Sequence, residues 1–103
     1  MRNASIAALA ILMIMPNAGA DEAADIEAGA DLAKRWCAGC HLVGPDVSGG
    51  DAGPPFTEIA RRPGLSREKL TTWLADPHPP MDALNLNASE VRVLTRYLFS
   101  LAD

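Results

Sequence analysis

Two cysteines and a histidine stand close together in the sequence, as Cys37-Ala38-Gly39-Cys40-His41. Cysteines at this spacing with a histidine directly after them form an attachment motif for covalently bound haem. Two thiols three residues apart can reach the two vinyl-derived carbons on one edge of the porphyrin, and the imidazole that follows then lies under the ring. The spacing therefore predicts one haem held through Cys37 and Cys40, with His41 as a ligand of its iron.

The same residues allow three other interpretations. A structural zinc site needs four ligands, and the chain can supply a set from Cys37, Cys40, His41 and the distant His78. A thioredoxin-like redox pair would need a βαβ context, whereas the surrounding pattern is helical. A disulfide between the two cysteines would close too short a loop to stabilise much. Haem attachment is the favoured interpretation.

Haem iron takes a second axial ligand, and the sequence narrows the choice to two residues. Met81 is the single methionine after position 15, and it ends the Pro-rich stretch 76–81. Prolines stiffen a loop and so lower the entropy cost of holding a sulfur at a metal. His78 is the rival ligand, but it is only three residues away and flanked by prolines, so both cannot bind at once. We predict Met81 as the ligand and His78 as an exposed loop residue.

The first twenty residues have the organisation of a secretory signal peptide. Arg2 carries positive charge, residues 4–15 form a twelve-residue apolar stretch broken only by Ser5, and small residues lead up to Ala20, as at a signal peptidase site. A stretch of twelve residues falls short of the roughly 20 apolar residues that span a bilayer, which argues against a retained anchor. We predict export to the periplasm, cleavage near Ala20 that removes residues 1–20, and a single mature domain over residues 21–103.

The composition excludes several classes of protein. The 103 residues are 49% hydrophobic and 21% charged, unlike a disordered or low-complexity chain. Nine Lys and Arg stand against thirteen Asp and Glu, with no basic run longer than two residues, so nucleic acid is not an expected partner. Loss of residues 1–20 removes one basic and no acidic side chain, which changes the net charge from −4 to −5.

Three amphipathic patterns predict helices, and two stretches rich in Gly or Pro predict loops. Residues able to cap a helix precede each pattern, and they are Asp25, Ser66 and Asn87, the last in a capping box with Glu90. The first two helices are predicted to end near Trp36 and Ala75, and a short helical turn is predicted over 56–61. Residues 43–55 and 76–85 contain too many helix breakers for regular structure.

A domain this short buries little surface and usually needs a staple, so we expect the helices to pack around the haem. The expected core side chains are large and apolar, and they are Phe56, Ile59, Leu70, Trp73, Leu74, Leu94 and Leu98. Trp73 and either Arg61 or Arg62 are candidates to meet the haem propionates.

With these residues in place, the chain resembles a small class I c-type cytochrome over essentially all of residues 21–103. Gly29, eight residues before Cys37, matches the family's glycine where the N-terminal helix crosses the C-terminal helix. Tyr97 matches the aromatic residue that packs into this crossing. Pro80-Met81 resembles the family's axial-methionine segment.

The resemblance extends to the surroundings of the histidine. Pro54 or Pro55 resembles the proline whose carbonyl accepts the N–H of the proximal histidine, here His41, and orients it. One departure is Ala33, where many members have a large aromatic residue, so that Leu32 or Trp36 is expected to fill the volume.

The resemblance implies an all-α, cytochrome c-like fold, with three main helices and a short one wrapped around a covalent haem c and joined by long Gly/Pro-rich loops. His/Met ligation fills both axial positions, which implies a periplasmic single-electron carrier and not an enzyme. Two alternatives are a haem relay subunit of a larger periplasmic complex and a sensor or peroxidase in which Met81 dissociates. The acidic mature chain predicts redox partner proteins with a basic docking surface and association that weakens with salt. No stable membrane anchor is expected after cleavage of the signal peptide.

Overall fold

Four helices make up the regular structure of this chain in a computed structural model, which describes Ala10 and residues 18–45, 49–77 and 79–103. In chain order the helices are α1 (Ala18–Trp36), α2 (Phe56–Ala60), α3 (Arg67–Ala75) and α4 (Ala88–Ser100). The described residues form no β-strand, so the predicted all-α class is confirmed. Most of the predicted signal peptide, residues 1–9 and 11–17, lies outside the described residues.

The two N-caps predicted for the later helices are confirmed. The Ser66 hydroxyl accepts the Lys69 backbone N–H at 3.0 Å, one residue before α3. At the start of α4, the Asn87 side chain accepts the Glu90 N–H at 2.8 Å, and the Glu90 carboxylate accepts the Asn87 N–H at 2.9 Å. This is the reciprocal capping box that the sequence predicts. Both helices therefore begin where short-range hydrogen bonding favours it.

The predicted cap of the first helix is wrong, because α1 begins seven residues before Asp25. The residues ahead of Asp25 are mostly alanine, the strongest helix former, so the helix extends over them. The Asp25 carboxylate instead pairs with α4, where it accepts hydrogen bonds from Arg96 at 2.8 Å and Arg92 at 3.3 Å.

Helices α1 and α4 cross at Gly29, as the family resemblance implies. A Cβ atom added at Gly29 would lie 2.7 Å from the Cβ of Tyr97 and closer still to the carbonyl oxygen of Val93. No side chain fits in this space, so a glycine lets the two backbones approach closely. The crossing holds the end of α1, which leads into the cysteine motif, against α4.

The core lies between α4 and the other three helices, all of which contact it. Its buried apolar side chains are Leu32, Ala33, Val43, Phe56, Ala60, Leu70, Leu74, Val91, Val93, Leu94, Tyr97 and Leu98. Most of the predicted core residues are among them, and Ile59 is half-buried against the cluster. Leu32 is buried, whereas Trp36 is 47% exposed, so Leu32 is the residue that lies in the core near Ala33.

Trp73 lies outside this cluster of protein side chains, since the residue is 42% exposed. Leu70 and Leu74, four residues apart, form the buried side of α3. Trp73 is offset from Leu74 by one residue, or about 100° around the helix. The buried face of α3 is therefore narrower than the apolar pattern of the helix predicts.

The segments predicted as loops contain no helix in their described residues. The short connection between α2 and α3 turns at Gly64, whose φ of 79° suits a residue without a side chain. Among the described residues, no helix combines the length and apolar character needed to cross a membrane.

Candidate haem-attachment site

The cysteine motif forms a turn that continues directly from the end of α1. The Cys37 N–H donates to the Ala33 carbonyl at 2.8 Å, which is the last helical hydrogen bond. The Cys40 and His41 N–H groups then both donate to the Cys37 carbonyl, at 3.1 and 2.9 Å. The two cysteines form no disulfide with each other. The turn therefore gathers the three predicted attachment residues at one helix end.

The imidazole of His41 is buried and held in one tautomer. His41 is 8% exposed, and its Nδ1 donates to the Pro54 carbonyl oxygen at 2.6 Å. The choice between Pro54 and Pro55 is thus settled in favour of Pro54. Because Nδ1 carries the proton in this bond, Nε2 keeps its lone pair and is the nitrogen left to bind a metal. This is the arrangement that a histidine ligand of haem iron requires.

The loop after the motif folds back along the motif itself. The Gly50 N–H donates to the Ala38 carbonyl at 2.8 Å, and the Gly53 N–H donates to the Cys40 carbonyl at 2.7 Å. Added Cβ atoms at Gly50 and Gly49 would meet the backbone of residues 38–41. The glycines that the sequence marks as breakers are therefore needed for close packing against the motif.

Two aromatic residues complete the surroundings of His41. The Phe56 ring centroid lies 5.3 Å from that of the imidazole, with an interplanar angle of 56°. The Tyr97 hydroxyl donates to the Val43 carbonyl, and Val43 is fully buried. The backbone just after His41 is thereby attached to α4.

The two thiols lie in different environments. Cys40 is exposed and Cys37 is half-buried, and burial raises the pKa of the Cys37 thiol to about 11. A structural zinc site needs four ligands gathered around one point. Among the described residues, no group of three or more Cys, His, Asp or Glu side chains is arranged to hold a metal ion. The surroundings of Cys37 thus fit covalent haem better than zinc.

Met81 lies on a separate element, the loop between α3 and α4. Its side chain is half-buried, and its carbonyl accepts the Leu84 N–H at 3.0 Å, which closes a short turn. His78, the rival ligand, lies outside the described residues. Sequence reasoning missed Gly53 and Val43 as parts of the site, although the Gly53-Pro54 pair was a signal for the first.

The all-α fold, the Cys-x-x-Cys-His turn and the oriented imidazole together define a c-type haem protein. The chain is 44% identical over 93 residues, or 88% of each chain, to cytochrome c-552 of Bradyrhizobium diazoefficiens. No family model and no solved structure matches it. The chain belongs to the c-type cytochrome family. It is therefore an electron-transfer protein with haem c bound covalently through Cys37 and Cys40.

Proposed function

We propose that this cytochrome is a periplasmic carrier of single electrons whose one haem c has His41 and Met81 as axial ligands. The observation that carries the proposal is the 2.6 Å hydrogen bond from His41 Nδ1 to the Pro54 carbonyl. A ring held in this way offers Nε2, and only Nε2, to the iron.

His41 is the first of the two proposed axial ligands. When bound, the haem would supply one-electron transfer between the ferrous and ferric states of its iron. Donation from Nδ1 to a carbonyl makes the imidazole a stronger ligand, and burial keeps water away from it. The ring is held at two points, by its own backbone at position 41 and by the hydrogen bond to the Pro54 carbonyl. It therefore has little freedom to move when the charge of the iron changes.

Met81 is the second of the two proposed axial ligands. Its thioether is a soft, neutral ligand that favours ferrous over ferric iron and raises the potential relative to two histidines. The short turn that ends at Leu84 and the prolines before Met81 restrict the loop that carries it. If His41 and Met81 both bind the iron, they would leave no position on it open for oxygen or peroxide.

Absorbance of the oxidised protein tests the axial pair. A sulfur ligand produces a weak long-wavelength charge-transfer band, which we expect in the wild type and expect to be lost in Met81→Ala. That variant should also bind cyanide or carbon monoxide and gain peroxidase activity. His78→Ala is the matched control from the same loop, and it should retain the band.

Two results would contradict the assignment of Met81. One is a charge-transfer band that survives in Met81→Ala, and the other is a band that is lost in His78→Ala. A wild-type protein that binds carbon monoxide readily would favour a sensor or peroxidase over an electron carrier.

Export is the second part of the proposal. Cleavage after Ala20 would remove the first three residues of α1 and leave Asp21 at the N-terminus. Mass spectrometry of the haem protein from a periplasmic fraction should give the mass of residues 21–103 plus one haem. A mature protein that keeps residues 1–20 would contradict cleavage, and haem protein found only inside the cytoplasm would contradict export.

Partners with a basic docking surface are the third part. The exposed acidic residues Asp21, Glu27 and Asp31 lie along α1, and the mature chain has a net charge of −5. Reduction by a cationic inorganic complex should slow as salt is added, and reduction by an anionic complex should accelerate. The opposite pair of salt dependences would contradict the proposal.

A further inference from the structure

Three residues of the short segment 53–56 lie against the His41 imidazole. Pro54 accepts its Nδ1–H, and Phe56 lies against it at a tilted angle. Gly53 is the third: a Cβ atom added there would lie 2.8 Å from both Nδ1 and Nε2 and closer still to Cε1. Nearly equal short distances to three consecutive ring atoms place this Cβ over the face of the ring and not beyond its edge.

We infer that Gly53 is a positioning residue that sets the plane of the His41 imidazole. Its backbone lies against the ring face, where it admits the ring in one orientation and limits rotation about the Cβ–Cγ bond. The inference rests on the proposed function, in which His41 is an axial ligand of the haem iron.

The hydrogen bond to Pro54 alone does not determine this plane. It selects the tautomer and directs Nδ1, but one hydrogen bond still tolerates a limited rotation of the ring about the Cβ–Cγ bond. A van der Waals contact over the ring face opposes that turn, because the imidazole atoms would move into the Gly53 backbone. The combination of bond and contact therefore leaves one orientation.

Gly53 is itself held against the motif, so it cannot give way. Its N–H donates to the Cys40 carbonyl at 2.7 Å, and the Gly50 N–H donates to the Ala38 carbonyl at 2.8 Å. Both acceptors belong to the motif that bears the haem. A methyl group at position 53 must therefore turn the ring, or break hydrogen bonds between the loop and the motif.

The plane of an axial imidazole has a spectroscopic signature. In low-spin ferric haem it determines which iron d orbital holds the unpaired electron, and the g values of electron paramagnetic resonance report this. Ligand orientation also tunes the properties of the metal. Gly53→Ala should therefore change the g values and shift the midpoint potential, while the haem stays covalently bound.

The experiment compares Gly53→Ala with Gly29→Ala in the haem-loaded protein. Gly29 lies at the crossing of α1 with α4, where the nearest atoms to an added Cβ belong to Val93 and Tyr97 and not to His41. We expect changed g values and a shifted potential in Gly53→Ala, and wild-type values of both in Gly29→Ala. A Gly53→Ala protein that melts at lower temperature but keeps wild-type g values and potential would overturn the inference and leave Gly53 a purely structural role.

A second pair of variants covers the case in which Gly53→Ala does not fold. Phe56→Leu makes room beside the imidazole, so Gly53→Ala combined with Phe56→Leu lets the ring turn away from the added methyl. The double variant should differ in g values from Phe56→Leu alone. Identical g values in the two would overturn the inference.

The wild-type spectrum separates this inference from the proposed function. If the wild type lacks a low-spin ferric signal or the sulfur band, the His41/Met81 assignment fails. If both signatures are present and the position-53 variants reproduce them, only the role of Gly53 fails.

Discussion

The Tyr97 hydroxyl on α4 donates a hydrogen bond to the backbone carbonyl of Val43, two residues after His41. Both residues are buried, and Tyr97 also lies at the helix crossing opposite Gly29. One side chain thus contacts the crossing of α1 with α4 and attaches the loop behind the haem motif. The packing of the two long helices and the position of His41 are therefore connected through Tyr97.

Tyr97→Phe should destabilise the haem protein by about 1–3 kcal/mol, because it leaves the buried Val43 carbonyl without its donor. Denaturant unfolding at neutral pH measures the loss. An unfolding free energy equal to that of the wild type would show that the carbonyl finds another donor.

The same variant should alter the stability at alkaline pH. Burial raises the pKa of the Tyr97 phenol above its ordinary value of about 10. The folded state therefore holds this proton more tightly than the unfolded state, so stability from this group is fully present below pH about 10 and is lost as the pH rises through the folded pKa. Melting temperatures between pH 8 and pH 11, roughly, should fall less steeply in Tyr97→Phe than in the wild type. Parallel slopes would contradict the shift.

Gly29→Ala should destabilise the protein by about 1–3 kcal/mol, because the added methyl meets the Val93 carbonyl and Tyr97. At an exposed helix position the same change would stabilise, so the sign is diagnostic of the close crossing. A Gly29→Ala protein as stable as the wild type would mean that α1 and α4 separate without cost.

Asp25→Asn should cost about 0.2–1 kcal/mol at low salt, since it removes the charge that pairs with Arg96 and Arg92. The difference from the wild type should shrink as salt is added. Glu22→Gln is the control, because its pair with Arg67 is longer, at 3.4 Å, and more exposed. An equal loss in the two variants would show that the α1–α4 pair has no special strength.

Cys37→Ala and Cys40→Ala should each give a protein that loses its haem or holds it through one thioether. Extraction with acid and organic solvent, followed by mass spectrometry of the polypeptide, distinguishes these states. Haem should stay on the wild-type chain. If all of it extracts, covalent attachment is contradicted.

The structural features that could be predicted correctly from the sequence depend on interactions between residues close together in the chain. The caps at Ser66 and Asn87 and the turn from Cys37 to His41 depend on hydrogen bonds between residues three or four positions apart. Because such bonds form within one segment, the residue types that make them can be recognised without knowing the rest of the fold. Haem attachment through Cys37 and Cys40 could be predicted for the same reason.

Tertiary structure decided the roles of Asp25, Trp73 and the residues around His41. Asp25 has the side chain of a cap, but a helix that begins earlier makes it a partner of Arg96, 71 residues away. Trp73 is apolar, yet the side of α3 that meets α4 is made by its neighbours. Pro54 and not Pro55 accepts from His41, and Gly53 lies on its ring, because the loop pairs with the motif backbone in one register. These contacts join residues far apart in sequence, and their energies depend on which surfaces meet, which residue type and spacing do not encode.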